Sequence, residues 1–126
     1  MNLRTPIARV RGLGSAKEGV AHWWTQRVTA VALVPLTLWF VISLLFMVHA
    51  DYESLQAWIA QPLVTVLLVA FLFSLFYHAT LGMQVVIEDY VHQEGAKFAS
   101  LMVMKFLLIL LGGSAIIAVL RITFGG

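Results

Sequence analysis

Four histidines, at positions 22, 49, 78 and 92, are the residues of this sequence best suited to bind a metal or move a proton near neutral pH. The chain has no cysteine, which excludes disulfides, thiolate metal sites and cysteine-held iron–sulfur clusters within it. His22, His49 and His92 stand at the edges of apolar stretches. Only His78 lies deep inside one, roughly 15 Å from the charged end at Glu88 if the stretch is helical, close to where a bilayer midplane falls. An ionisable side chain at that depth is a functional hypothesis by default. Two readings are open. The imidazole can be an axial ligand of a haem iron, or a neutral group hydrogen-bonded between helices, for example to Ser74 one turn away.

The neighbours of His78 carry further chemistry. Gly82 follows one turn later on the same face, where it removes bulk that a flat macrocycle or a second helix would meet. That face continues through Phe71, Ser74, Leu75, Val85 and Asp89. His78 and Asp89 are almost a whole number of turns apart, so they align on one side of one helix, about 16 Å apart along its axis. Asp89 and Tyr90 stand where the stretch leaves the membrane. A phenol at that depth can donate to a quinone carbonyl and a carboxylate beside it can relay protons. The plainer alternatives are an interfacial belt tyrosine and, for Glu88 and Asp89, a solvated loop start. The run His22-Trp23-Trp24-Thr25-Gln26-Arg27 precedes the first apolar stretch. Its tryptophans read as interfacial anchors. Arg27 is either a topology signal or a bidentate partner for an anion such as a haem propionate. Trp39, the methionines and the Phe-rich run 71–76 read as helix packing.

These residues need a lipid setting. Of 126 residues, 61% are hydrophobic and 11% charged, with mean hydropathy +0.93; a soluble domain carries about 25% charged residues. The length allows one domain, 1–126, and the net charge of +2 points to no particular partner. Three charge-poor stretches predict an all-α membrane protein with spans at about 28–49, 62–87 and 98–120, each long enough to cross about 30 Å of hydrocarbon. Pro35 is tolerated inside the first span. Pro62 suits a first helical turn. Ser54 to Ala60, with Trp58, predicts a short interfacial helix. Lys105 is placed to snorkel from the third span, and the small run Gly112-Gly113-Ser114-Ala115 would admit a close neighbouring helix.

Basic residues set the orientation. Arg4, Arg9, Arg11, Lys17 and Arg27 precede the first span, the first loop has Asp51 and Glu53 and no basic residue, and the second loop holds Lys97. The positive-inside rule places the N-terminal segment 1–27 in the cytoplasm and the C-terminus in the periplasm. The Arg-rich start lacks the apolar core of a secretory signal and runs directly into the first span, which favours a bacterial inner membrane over a mitochondrial one. A transport or channel subunit should carry more intramembrane charge than Lys105 and His78 supply. A purely structural anchor remains as the alternative. A second deep histidine is absent, so a bis-histidine haem would draw its other ligand from a partner subunit.

The His78…Asp89-Tyr90 spacing resembles the H-x10-D-Y signature of the small hydrophobic membrane anchor of succinate dehydrogenase, respiratory complex II. The segment Ser15…His22-Trp23-x-x-Gln26-Arg27-x-Thr-Ala is similar to the start of the first helix in the same family, and Gly82 and Val91 also fit. The likeness covers about residues 14–92 together with the number, length and orientation of the spans. It implies a succinate:ubiquinone oxidoreductase in which a flavoprotein oxidises succinate, an iron–sulfur protein carries electrons, and this chain forms a helical bundle with a second membrane anchor, a cytochrome b-type subunit. By that resemblance His78 is an axial ligand of haem b, Arg27 lies near a haem propionate, Tyr90 touches ubiquinone and Asp89 supports that site. This chain itself would contribute no succinate-oxidising residue. A fumarate reductase anchor or a haem-free anchor is the nearest rival, and a structural or transport subunit of another small complex the more distant one.

Overall fold

The structure is a computed structural model and describes residues 17–125, with side-chain surroundings from residue 20. Residues 1–16 of the expected cytoplasmic tail, with Arg4, Arg9 and Arg11, lie outside the described residues. Those described form four helices: α1 (Lys17–Phe46), α2 (Tyr52–Ile59), α3 (Pro62–Tyr90) and α4 (Glu94–Gly125). Three are long and apolar enough to cross a membrane, Val20–Phe46, Pro62–Tyr90 and Glu94–Gly125. The protein is an all-α, multi-pass membrane protein.

The helices overrun the charge-free stretches. Nothing in the His22–Arg27 run breaks a helix, so α1 is already helical there, and it passes through Pro35 uninterrupted. It stops at Phe46, short of His49. The Met47 N–H is shared between the Ser43 and Leu44 carbonyls, at 3.0 and 3.1 Å, which tightens the end into a turn. α3 begins with Pro62 after the cap Gln61 and runs through Glu88-Asp89-Tyr90. Tyr90 is thus the last helical residue rather than part of a loop. Lys97, expected in the second loop, is in the first turn of α4, 4.0 Å from Glu94. That turn is capped by Gln93, whose side-chain carbonyl accepts from the Ala96 N–H at 3.2 Å.

The short helix expected around Trp58 is present as α2. Asp51 caps it by accepting from the Ser54 N–H at 2.8 Å. Hydrogen bonds from the Ser54 hydroxyl and then its backbone N–H hold the Asp51 carboxyl below its ordinary range. This contribution is present above the ordinary carboxylate pKa and fades as pH falls through the lowered one. Trp58 of α2 stacks on Trp39 of α1 with ring centroids 5.9 Å apart, which ties the interfacial helix to the first span.

α3 is the middle of the assembly. It packs against both α1 and α4, whereas α1 and α4 do not approach each other among the described residues. Two contacts fix an antiparallel register of α1 on α3: Thr29 with His78, and the Phe40 ring stacked on Phe71 at 4.8 Å. Two others do the same for α4. The Thr65 and Thr123 hydroxyls meet at 2.9 Å, and Phe76 lies against Gly112. Thr65 also donates toward the Ile59 carbonyl at 2.7 Å, joining the end of α2 to this point. Buried side chains concentrate on α3 (Val64, Thr65, Leu68, Phe71 and Leu81), with Met104 on α4 as the other buried apolar side chain among the described residues. Large apolar residues such as Val31, Leu45, Phe73, Phe106 and Ile109 are exposed on all sides, as lipid or partner helices require.

The small-residue run on α4 divides. A Cβ on Gly112 would stand 2.9 Å from Phe76 Cγ and 3.2 Å from its Cβ, atoms too close to the backbone to swing away. A Cβ on Gly113 meets nothing within 4 Å. Gly112 is therefore consumed by packing inside this chain. Gly112→Ala should lower the thermal stability of the assembled protein by about 1–3 kcal/mol, against its better helix propensity, because it overpacks the α3–α4 contact. Gly113→Ala should leave that contact intact. Comparing the two by thermal melting checks the register. The open three-helix layer gives a second expectation. Expressed without partner subunits, the chain should fail to run as a stable monomer in detergent. A monodisperse, helical, cooperatively melting monomer would contradict this.

Candidate functional site

α3 is a continuous helix without an internal proline, so it carries His78 and the Asp89-Tyr90 pair as one rigid unit. His78 is half-buried on the side turned to α1. Its partner is not Ser74 on its own helix. The Thr29 hydroxyl of α1 lies 3.1 Å from His78 Nδ1. The same hydroxyl oxygen is 2.9 Å from the Thr25 carbonyl and 3.0 Å from the Gln26 carbonyl. His78 Nε2 makes no hydrogen bond among the described residues. Gly82, one turn on, has open space where a Cβ would stand, so packing within this chain does not account for a glycine there.

α1 brings a polar face to the same side. His22, Gln26 and Thr29 fall at helical spacings of four and three, so they share the face that Thr29 presents to α3. His22 Nε2 and Gln26 Oε1 are buried with no hydrogen-bond partner among the described residues. A buried polar atom left unpaired costs about 1–3 kcal/mol. Because α1 and α3 run antiparallel, these two residues extend from Thr29 toward the end of α3 that carries Asp89 and Tyr90. The resemblance motif contains His22, Gln26 and Thr29 together but gives none of them a role. Helical spacing from Thr29 puts them on one face, and it becomes informative only once Thr29 is known to face His78.

Arg27 is on a different side of α1. Two positions before Thr29 is about 200° around the helix, so Arg27 points away from α3. Its guanidinium stands over the Trp23 ring, 5.3 Å from the centroid, and Trp23 in turn stacks on Trp24 at 6.0 Å. Within this chain Arg27 and His78 are not brought together, and an anion held by Arg27 would approach α1 from its outer face. Asp89 and Tyr90 are exposed, Tyr90 at 78%. Neither side chain has a hydrogen-bond or ion-pair partner among the described residues; the neighbouring Glu88 accepts from the Gln84 amide at 3.1 Å. The described residues contain no cluster of three or more His, Asp or Glu side chains able to hold a metal ion on their own. The site is thus one deep imidazole with a free nitrogen, a polar seam between α1 and α3, and an exposed acid–phenol pair at the end of that seam. It is an open half-site.

Comparison with known proteins identifies the family. The sequence profile of the succinate dehydrogenase/fumarate reductase transmembrane subunits matches residues 1–112. Among curated proteins, the succinate dehydrogenase hydrophobic membrane anchor subunit of Rickettsia bellii is 38% identical over 71% of this chain and 72% of its own length. The corresponding subunit of Paracoccus denitrificans is 34% identical over 80% and 78%. The succinate dehydrogenase membrane anchor subunit of Porphyra purpurea is 33% identical over 86% and 88%.

Proposed function

The chain belongs to the succinate dehydrogenase/fumarate reductase transmembrane subunit family, as one of its hydrophobic membrane anchors, and we propose that its half-site binds haem b through His78 and helps form a ubiquinone-reduction site through Tyr90 and Asp89. The observation that carries this reading is the state of His78: deep in a span, anchored through Nδ1, with Nε2 free beside the open space at Gly82. Those residues would suit a flat macrocycle, with His78 of this chain and a residue of a second membrane anchor of cytochrome b type as the groups that would hold its iron. A haem bound there supplies one-electron redox capacity. A flavoprotein and an iron–sulfur protein complete the assembly and bring electrons from succinate to the cytoplasmic face of a bacterial inner membrane.

The residues of this chain then have separate tasks. His78 holds its group in place from α3. Arg27, on the outer face of α1, offers a guanidinium to a propionate carboxylate reaching that side, where the match is bidentate. Tyr90 is exposed at the end of α3, and its hydroxyl can donate to a quinone carbonyl. Converting a quinone to a quinol adds two electrons and two protons, and negative charge gathers on the carbonyl oxygens as electrons arrive. A donor aimed at such an oxygen in a water-poor site can be worth a few kcal/mol. The Asp89 carboxylate, adjacent in sequence and equally exposed, is placed to pass protons to that oxygen. His22 and Gln26 leave buried polar atoms facing the same end, which gives water or ligand a polar path along the seam.

Family membership replaces the transport alternative, and a visible spectrum separates a haem-bearing anchor from a haem-free one. In an assembled complex carrying His78→Ala, the reduced b-type haem band should disappear or shrink several-fold, while succinate oxidation measured with a soluble dye persists. A wild-type haem spectrum in that variant would remove the ligand assignment. Tyr90→Phe keeps the ring and removes only the hydroxyl. It should leave assembly and haem unchanged, lower quinone reductase activity by about ten-fold or more, and spare dye reduction. Equal loss or equal retention of both activities would reduce Tyr90 to a belt tyrosine.

A further inference from the structure

Thr29 lies in an apolar span and takes no part in the chemistry described above, yet its hydroxyl is the one polar group among the described residues placed on the His78 ring. A hydroxyl has one hydrogen and two lone pairs. Two of the three neighbours of Thr29 Oγ1 are carbonyl oxygens of its own helix, Thr25 at 2.9 Å and Gln26 at 3.0 Å. A carbonyl oxygen can only accept, so the hydroxyl hydrogen points to them. Thr25, Thr80 and Thr123 behave the same way, each donating to the carbonyl four residues back, at 2.8, 2.8 and 3.1 Å. The third neighbour, His78 Nδ1 at 3.1 Å, therefore faces a lone pair. Only a protonated Nδ1 makes that contact attractive. A neutral imidazole carries one N–H, so Nε2 is left with its lone pair exposed for coordination.

We propose that Thr29 is a positioning residue that fixes the tautomer and ring orientation of His78, so that Nε2 is presented as the ligand atom and Nδ1–H is held by a fixed acceptor. This inference rests on the reading of His78 as a haem ligand. The hydroxyl does more than orient the ring. An acceptor on the distal N–H pushes electron density onto the imidazole and makes it a stronger donor to the metal. A stronger donor favours the ferric state, so Thr29 holds the midpoint potential of the haem down. The placement is also stable. Thr29 is β-branched and restricted at χ1 in a helix, and its two helix carbonyls keep the hydroxyl hydrogen from turning toward Nδ1.

The test is a graded series at position 29 in the complete complex, read by haem content, reduced-minus-oxidised spectrum and potentiometric titration. Thr29→Ser keeps the acceptor and should reproduce the wild-type potential and haem content. Thr29→Cys, with a weak sulfur acceptor, should give a higher potential, and Thr29→Val, with the shape but no acceptor, the highest. Haem retention in Thr29→Val should weaken about ten-fold or more, the usual effect of removing a partner of a metal-bound histidine. If Thr29→Val does not assemble, the Ser–Cys comparison reads the same dependence, and equal potentials in those two variants would overturn the proposal. It is overturned as well if Thr29→Val assembles with wild-type potential and haem content while His78→Ala loses haem, an outcome that leaves the ligand reading standing. If His78→Ala retains haem, both fall together.

Discussion

A polar group inside a bilayer has no water to fall back on, and the helix packing of this protein is arranged around that constraint. The threonine hydroxyls at the helix interfaces answer to a carbonyl or to a polar group on a neighbouring helix. Thr65 bonds the end of α2, its own helix and Thr123 of α4. Thr29 bonds its own helix and His78 of α3. These two points fasten α3 to its neighbours near its start and near its middle, and between them the aromatic contact of Phe40 with Phe71 and the seat of Phe76 on Gly112 supply close packing. Apolar surface could not do this alone, because lipid chains compete equally for it. Direction comes from the polar points and from the one glycine that lets Phe76 settle.

The consequence is a layer with α3 in the middle. α1 and α4 each bury part of α3 and leave their remaining surfaces to others. One side of α3 is spent on structure, through Thr65, Phe76 and the contact with Gly112. The other carries His78 against Thr29 of α1, on whose same face His22 and Gln26 leave polar atoms without a partner among the described residues. Two polar atoms without a partner among the described residues, in a water-poor seam, call for a partner from elsewhere in the assembled protein. That this chain is a member of a multi-subunit family and presents a half-site follows one logic: the same face is left unfinished in packing and in hydrogen bonding.

Much of this was legible in the residues, for reasons that also mark where reading stopped. Charge-free length announces a membrane span because charge is so costly there, and the described residues form three helices long and apolar enough to cross a membrane, the number that the charge-poor stretches predict. Helix ends were less legible. Charge marks where the membrane ends, whereas helix continues until a cap or breaker arrives, so Tyr90 and Lys97 proved helical. His78 stood out by depth alone, but its partner did not, since Ser74 on the same helix is the nearer candidate by spacing and Thr29 is found only when the register of α1 is known. The small run on α4 foretold close approach without saying to what. Gly112 meets Phe76 of the same chain, and only Gly113 remains open. Arg27 could be placed near the interface, but its direction, away from α3, depends on which face Thr29 takes.

Rigidity divides the candidate residues into two groups. His78 and the Asp89-Tyr90 pair share one uninterrupted helix, so their separation is set by helical rise and cannot drift unless α3 bends. Thr29, Gln26, His22 and Arg27 are on α1, and their position relative to His78 is only as firm as the contacts between two helices that touch along one seam. The Thr29–His78 bond is the polar one of those contacts nearest the deep imidazole. A group wedged between α1 and α3 would feel any sliding of α1 as a change in the acceptor that His78 sees. The same hydroxyl therefore couples helix register to the electronic character of the imidazole, and the precision of the half-site depends on a single threonine that the apolar pattern of the sequence gives no reason to single out.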